Sequence, residues 1–433
     1  MSSSIQDILG ELNRDSYISL LSKLIGESEF VQNNPPHLIP QEDKVGKHVL
    51  DVLNPHRNIL NITRVSYDEK DQRGHLIIKY PGTIPGKVVS FVGSHMDVVP
   101  ADPNAWNFNP FSLSIDGDKL RGRGTTDCLG HVALLTQLML KLAQTKPILK
   151  SSVVVMFIVS EENNSIPNIG VERLYADGYF DILQGGPLYW VDTADSQPCI
   201  GTGGSLTWTI NTKGKLFHSG MPDKAINALE LAMDALKDIQ LKFYKDFPAV
   251  PKEAEYGFEI PSTMKPTQWS YPEGAINQIP EKCTIAGDVR LTPFYDMDYL
   301  KKKLQEYIDY TNAHVEDLAS RGPVSKYTLP DGTRGELAII FGNPMPGIAC
   351  DINSAGYKAL YNATYEVIGE VKPYSLTGSL PLVHDLQNDG FDVQNIGYGL
   401  TETYHADNEY CYYSDMAKGY KVFASIISQL EEL

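Results

Sequence analysis

Residues 151–162 read SSVVVMFIVSEE, a run of β-branched and other apolar residues that ends on two adjacent carboxylates. From Val153 to Val159 no polar residue interrupts the run, so the segment has no side to give to water. This is the pattern of a strand covered on both faces, not of a half-exposed antiparallel strand. Two shorter runs behave alike, KVVSFVGSH at 87–95 and LYWVDTAD at 188–195, and HLIIKY at 75–80 is a further β-rich segment. Between them, after Asp127, the apolar residues Val132, Leu135, Met139 and Leu142 recur at intervals of three and four, which places them on one face of a helix. Apolar strands alternating with helices imply an α/β domain whose mostly parallel sheet is covered on both sides.

Working outward, IQDILGELNRDSYISLLSKLI at 5–25 predicts one helix near the start, followed by the polar, Pro-rich NNPPHLIPQE at 33–42. After the Gly-rich turn GTGGS at 201–205 the pattern changes. SLTWTINTKGK alternates like a half-exposed strand, DKAINALELAMDALKDIQLKFY predicts a helix, CTIAGDVRL a strand, DMDYLKKKLQEYIDYTNAHVEDLA a helix and GELAIIFG a strand. Together they read as an inserted β-α-β-β-α-β unit, the ferredoxin-like α+β arrangement, over residues 205–345. The α/β pattern resumes from Pro346, with a helix around INSAGYKALYNATYEVIG, a strand at VQNIGYGL and a last helix from Ser414. Residues 1–204 and 346–433 therefore form one domain around the insertion.

The balance of charges excludes one class of partner. The chain carries 54 acidic and 37 basic side chains in 433 residues, a net −17. Phosphate backbones select basic surfaces, so no nucleic acid is expected. The apolar run Val153–Val159 is too short to span a bilayer, and the first residues lack the basic start and apolar block of a signal peptide. Five cysteines, odd in number, include no Cys-x-x-Cys pair, which points to a reducing compartment. The expectation is a soluble cytoplasmic protein.

The chemistry-bearing residues sit where strands end. No Gly-x-Ser-x-Gly elbow, no phosphate loop and no His-Glu-x-x-His occurs. His95 and Asp97 close SHMDVVP, Asp127 lies in GRGTTDCLG, Glu161 and Glu162 end the long apolar run, Asp192 ends LYWVD, and His405 opens HADNE. In an open α/β sheet the functional crevice lies beyond the carboxyl ends of the strands. Any single residue of this kind can be a turn or capping residue, but two adjacent carboxylates after a buried strand repel one another unless a positive charge lies nearby. A metal ion would supply it. His, Asp and Glu without Cys suit zinc, manganese or cobalt, with zinc the usual choice for mixed nitrogen and oxygen ligands.

In order and spacing, SHMDVVP, GRGTTDCLG, SEENNS, VDTAD and HADNE resemble the signature of a two-zinc metallohydrolase family. That family holds acetylornithine deacetylase, succinyl-diaminopimelate desuccinylase, aminoacylases, carnosinase-type dipeptidases and bacterial glutamate carboxypeptidases. The resemblance runs over essentially the whole chain and is nearest to the plant-type acetylornithine deacetylases. It implies a zinc-peptidase-like catalytic domain, with the insertion as lid and dimerisation domain of a homodimer. It implies two Zn2+ per subunit, with Co2+ or Mn2+ able to substitute: one held by His95 and Asp192, the other by Glu162 and His405, and Asp127 bridging both. Glu161 would be the general base, Asp97 would hold the ring of His95, and His218 would reach the partner's active site as an oxyanion donor. Asn277 in GAINQIP and Arg290 in GDVRLTP match substrate contacts, although a strand Arg facing a solvated Asp is an equally good reading of Arg290 from the residues themselves. Two positions depart from the family pattern: Cys128, read as a packed residue and not a nucleophile, and TGSLP at 377–381, which lacks the Asp of desuccinylases. The implied reaction is removal of the acetyl group from N-acetylornithine, yielding ornithine and acetate in arginine biosynthesis. The alternative is a dipeptidase or general aminoacylase using the same machinery. A catalytically silent scaffolding dimer is disfavoured, since no ligand and no base is missing.

Overall fold

The computed structural model describes residues 4–318, 321–324 and 326–432. The chain divides into two compact units, one comprising Met1–Ile200, Cys350–Tyr374 and Pro381–Leu433, the other Gly201–Ala349 and Ser375–Leu380.

The first unit is built on the apolar runs. The strands Ser152–Phe157, Val88–Val92, Leu188–Val191 and Val393–Ile396 lie side by side in that order and all run parallel. Arg73–Tyr80 and Asn61–Asp68 extend one side in antiparallel pairing. Cys199–Thr202 and Tyr374–Leu376 complete an eight-stranded sheet. Val153 to Val159 are wholly buried, as the unbroken apolar run requires. Each such side chain contributes roughly 1.5–3 kcal/mol of transfer free energy. Helices Arg14–Gly26, Asp43–Leu53, Leu129–Thr145, Ala355–Ile368 and Tyr413–Glu432 supply much of the remainder of this core. The helix at Leu129–Thr145 is buried well beyond the single stripe its periodicity predicts, because every residue from Leu129 to Met139 is enclosed.

The opening segment differs from its expected single helix. Two helices form instead, Ile5–Leu9 and Arg14–Gly26, broken at Gly10, which takes a positive φ of 61°. The side chain of Asn13 then accepts from the Ser16 amide to start the second. Local capping outweighs an apolar periodicity that would run straight through.

The second unit holds a four-stranded antiparallel sheet in the order Thr263–Ser270, Lys282–Leu291, Gly204–Lys213, Glu336–Phe341, with helices Ala228–Asp246 and Met297–Ala313. Its own core includes Trp208, Ile285, Phe243 and Leu304. The element order is β-α-β-β-α-β. Among the described residues no helix is long and apolar enough to cross a membrane.

Candidate metal centre

Three neighbouring parallel strands deliver, from their carboxyl ends, side chains able to ligate a metal. After Val88–Val92 the chain turns at Gly93, whose φ of 90° and whose position leave a Cβ only 2.4 Å from the Trp190 ring, so glycine is required. This turn brings His95 forward. Glu161 and Glu162 follow Ser152–Phe157 through Ser160, a non-glycine residue at φ 62°, and Asp192 directly follows Leu188–Val191. Asp127 precedes the helix Leu129–Thr145, and His405 lies on the loop after Val393–Ile396 with φ 53°. Backbone in this region costs of order 1–3 kcal/mol per residue and persists only where the surroundings hold it.

These six side chains converge within the first unit. His95 Nε2 lies 2.9 Å from Asp127 Oδ1, 3.4 Å from Asp192 Oδ1 and 3.7 Å from Glu161 Oε2. His405 Nε2 lies 3.2 Å from Asp127 Oδ2 and 3.0 Å from Glu162 Oε2. One oxygen of Asp127 thus faces each histidine. The potential ligand sets include Asp127, Glu162 and His405, and His95, Glu161 and Glu162.

Asp97 holds the ring of His95 through its main chain. The Asp97 main-chain carbonyl takes the 2.8 Å bond from His95 Nδ1, and its carboxylate stands 3.4 Å away. That carboxylate instead accepts the amides of Glu162 at 2.9 Å and Glu161 at 3.2 Å, together with Asn33 Nδ2 at 2.7 Å. Asp97 therefore organises the paired glutamates. Because a carbonyl only accepts, Nδ1 of His95 carries a proton. Burial opposes a charge on the ring, but Asp192, Glu161 and Asp127 outweigh it and raise the ring well above its ordinary value, so Nε2 also holds a proton toward the carboxylates. A divalent cation among these oxygens would take the place of that proton and leave Nε2 free to ligate.

The electrostatics agree. Burial pushes Glu161 well above the usual carboxylate range, opposed by His95 and reinforced by Asp192, Glu162 and Asp127. Burial, then the charge of Asp127, lifts Glu162 to about 8, and burial lifts Asp192 to about 6. Bonds to Asp127 and Glu162 raise His405 to about 11. Burial alone would raise Asp127, but its bonds from His405 and His95 outweigh that and hold it low. Acids compete here for too little positive charge, and the buried Glu162 Oε1 has no protein partner. The donor set and this orphaned oxygen both fit divalent metal.

His218, Asn277 and Arg290 all belong to the second unit. His218 is exposed on a short strand that pairs with Gln278, and the Ser219 amide donates to the Asn277 carbonyl, so these two positions adjoin. Nδ1 of His218 accepts from the Gly220 amide at 2.9 Å, which leaves the ring proton on Nε2. Arg290 stands elsewhere on that unit's main sheet, with Nε donating to Asp288 Oδ2 at 2.6 Å. Cys128 is buried in contact with the Val191 carbonyl, and burial pushes its thiol far up, as suits a packed residue.

Sequence reasoning missed Asn33, Glu42 and Arg73. Arg73 forks onto Glu42 at 2.8 and 2.9 Å, both wholly buried, and Glu42 accepts the Ser160 amide just before the glutamate pair. Only the spacing of Asn33 and Glu42 around a Pro-rich stretch marked them, and that reads as a turn.

Known proteins share this organisation. An Arabidopsis thaliana protein named acetylornithine deacetylase is 61% identical over 100% of this chain and 99% of its own length. A Dictyostelium discoideum protein of the same name is 50% identical over 98% of each. The crystal structure of human carnosine dipeptidase 1 superposes with a TM-score of 0.72 at 16% identity, covering 99% of this chain and 98% of that one. The dipeptidase Dug1p from Saccharomyces cerevisiae gives 0.71 at 17% identity, with 99% and 98% covered. A family model matches residues 91–429, an interval that begins in the strand leading to His95 and ends beyond His405. Since that interval contains all six converging side chains and the likeness to relatives runs the full length, the chain belongs to peptidase family M20/M25/M40.

Proposed function

We propose that this protein is a two-zinc amidohydrolase that removes the acetyl group from N-acetylornithine, giving ornithine and acetate for arginine biosynthesis. The observation that carries the metal chemistry is the division of Asp127, with Oδ1 toward His95 and Oδ2 toward His405. Full-length identities of 61% and 50% to two acetylornithine deacetylases support the substrate. In this reading His95 and Asp192 would hold one zinc and Glu162 and His405 the other, with Asp127 shared between the two. Bound zinc lowers the pKa of water from about 15.7 towards 7 and polarises the amide carbonyl.

The chain's own groups then do the following. Glu161 accepts the proton of the attacking water and returns it to the leaving amine of ornithine. Asp97 fixes the backbone of Glu161 and Glu162 through its two oxygens, so the base and its neighbouring ligand keep their places. Nε2–H of His218, left as donor by the Gly220 bond, supports the developing oxyanion, and we assign this histidine to the partner's active site in a homodimer. Asn277 and Arg290 hold the substrate carboxylate, for which a guanidinium fork offers two parallel bonds. The second unit serves as lid and dimerisation domain, and the cytoplasm as location belongs to the same proposal. A dipeptidase function would rest on solved structures of 16–17% identity, which speak to the fold alone.

The test is amine release by the zinc-loaded protein from N-acetylornithine, N-acetylmethionine, succinyl-diaminopimelate and an unblocked dipeptide. N-acetylornithine should lead in kcat/KM. A dipeptide in first place overturns the assignment.

A further inference from the structure

The last residue of HADNE does more than close a motif. Glu409 is wholly buried, and its carboxylate takes four donors. Oε1 accepts the amides of Thr126 at 2.8 Å and Asp127 at 3.0 Å, and Oε2 accepts the Gly124 amide and Arg123 Nη1, both at 2.9 Å. Three backbone amides of the loop that ends on Asp127 are thereby fastened to one side chain from the loop of His405. Gly124 sits there at φ 98°, so the loop is bent in a way few residues adopt without such support.

Arg123 closes the arrangement from the other side. Besides Glu409, its Nη1 donates to the carbonyl of Ala406, next to His405, at 3.1 Å, and Nη2 donates to the Pro100 carbonyl at 3.2 Å, beyond Asp97. The guanidinium stacks on Trp106, 4.9 Å from the ring centroid. One buried ion pair thus ties together the segments bearing Asp127, His405 and the His95–Asp97 turn.

We propose that Glu409 and Arg123 are positioning residues that set the geometry of the metal pair, Glu409 through the backbone of Asp127 and Arg123 through the backbone beside His405. This rests on the two-metal reading above. Glu409 spends all four donors' worth of acceptor capacity on backbone and guanidinium, so it has the means to orient Asp127 without touching metal or substrate. Removing one acceptor oxygen should loosen the bridging carboxylate, and hence both ions. Replacing the guanidinium fork by a point charge that keeps the pairing with Glu409 should release Ala406, and hence weaken most the ion on the His405 side.

The experiment is zinc competition against a chromophoric chelator, giving two stepwise constants for the wild type, Glu409→Gln, Arg123→Lys and Leu360→Ala. Leu360 is a buried core residue in the helix Ala355–Ile368, so its truncation lowers stability without touching these loops. Glu409→Gln should weaken both constants by about 10- to 100-fold, and Arg123→Lys one of them by about 10-fold, the range expected when the group supporting a ligand is lost. In both variants kcat should fall and KM hold within about twofold. Leu360→Ala should lower Tm and leave both constants at wild-type values. If either Glu409→Gln or Arg123→Lys fails to fold, the other carries the test. Wild-type constants in the two loop variants, or an equal loss in Leu360→Ala, overturn the positioning role. A wild type that binds fewer than two zinc ions overturns the two-metal reading and this inference with it.

Discussion

Glu161→Gln separates base from ligand, which the geometry makes a sharp question, because Glu161 also belongs to a potential ligand set with His95 and Glu162. The substitution keeps side-chain size and leaves the backbone bond from the Glu161 amide to Asp97 Oδ1, 3.2 Å, in place. What disappears is the ability to take a proton. Since Oε2 lies 3.7 Å from His95 Nε2, farther than the oxygens of Asp127 and Asp192, Glu161 is the least engaged carboxylate around that ring. Both ions should therefore remain. Loss of a general base costs roughly 10²- to 10⁴-fold in kcat, or about 3–5 kcal/mol in the barrier. KM should change little, because the amide side chain occupies the same volume. The assay pairs acetate release from N-acetylornithine with metal content by atomic emission on the same sample. Full activity would refute the assigned role. Loss of one zinc alongside activity would show that Glu161 is a ligand and that the base lies elsewhere.

Other outcomes follow from the same structure. If His218 serves the partner's site, mixing inactive His218→Ala and Glu161→Gln proteins should restore part of the activity through hybrid dimers, and verified subunit exchange without activity would defeat the arrangement. Arg290→Lys should lower kcat/KM for N-acetylornithine by on the order of a hundredfold, as expected for an amide misplaced by about 1 Å, while barely affecting the already slow hydrolysis of N-acetylornithine amide; equal losses on both would make Arg290 structural. His75 is buried, with Nε2 bonded to the Ile169 carbonyl at 2.8 Å and Nδ1 accepting from the Val159 amide, and burial lowers it to about 4. Because the unfolded ring titrates near 6.5, it binds a proton between pH 6.5 and 4 that the folded ring refuses, so stability present above 6.5 should be lost as pH falls, by up to about 3 kcal/mol. In His75→Gln, Tm should lose part of that slope; an unchanged slope would exclude the residue.

The parallel core and the cluster of acids and histidines at the ends of its strands were legible in the sequence for one physical reason. A strand buried on both faces must be apolar throughout, so polar residues at its carboxyl end stand out, as Glu161, Glu162 and Asp192 do. Thr263–Ser270 shows the opposite case. It is an edge strand whose residues from Lys265 to Ser270 are exposed, and it carries a bulge at Pro266, so it has neither apolar alternation nor a full set of donors to advertise it. The break at Gly10 depends on local capping bonds, and the bonds of Asp97 to the glutamate amides join residues 64 and 65 positions apart; periodicity reports neither. Glu409 was visible as a letter in HADNE, but its four donors come from residues some 280 positions earlier in the chain.

The most direct measurement is anomalous diffraction at the zinc edge from crystals of the zinc-loaded protein. The account predicts two peaks in each subunit, one bonded to Asp127 Oδ1 with His95 and Asp192, the other to Oδ2 with Glu162 and His405, at about 2.0–2.2 Å from their ligands. A single peak, or two peaks that do not share Asp127, would contradict it.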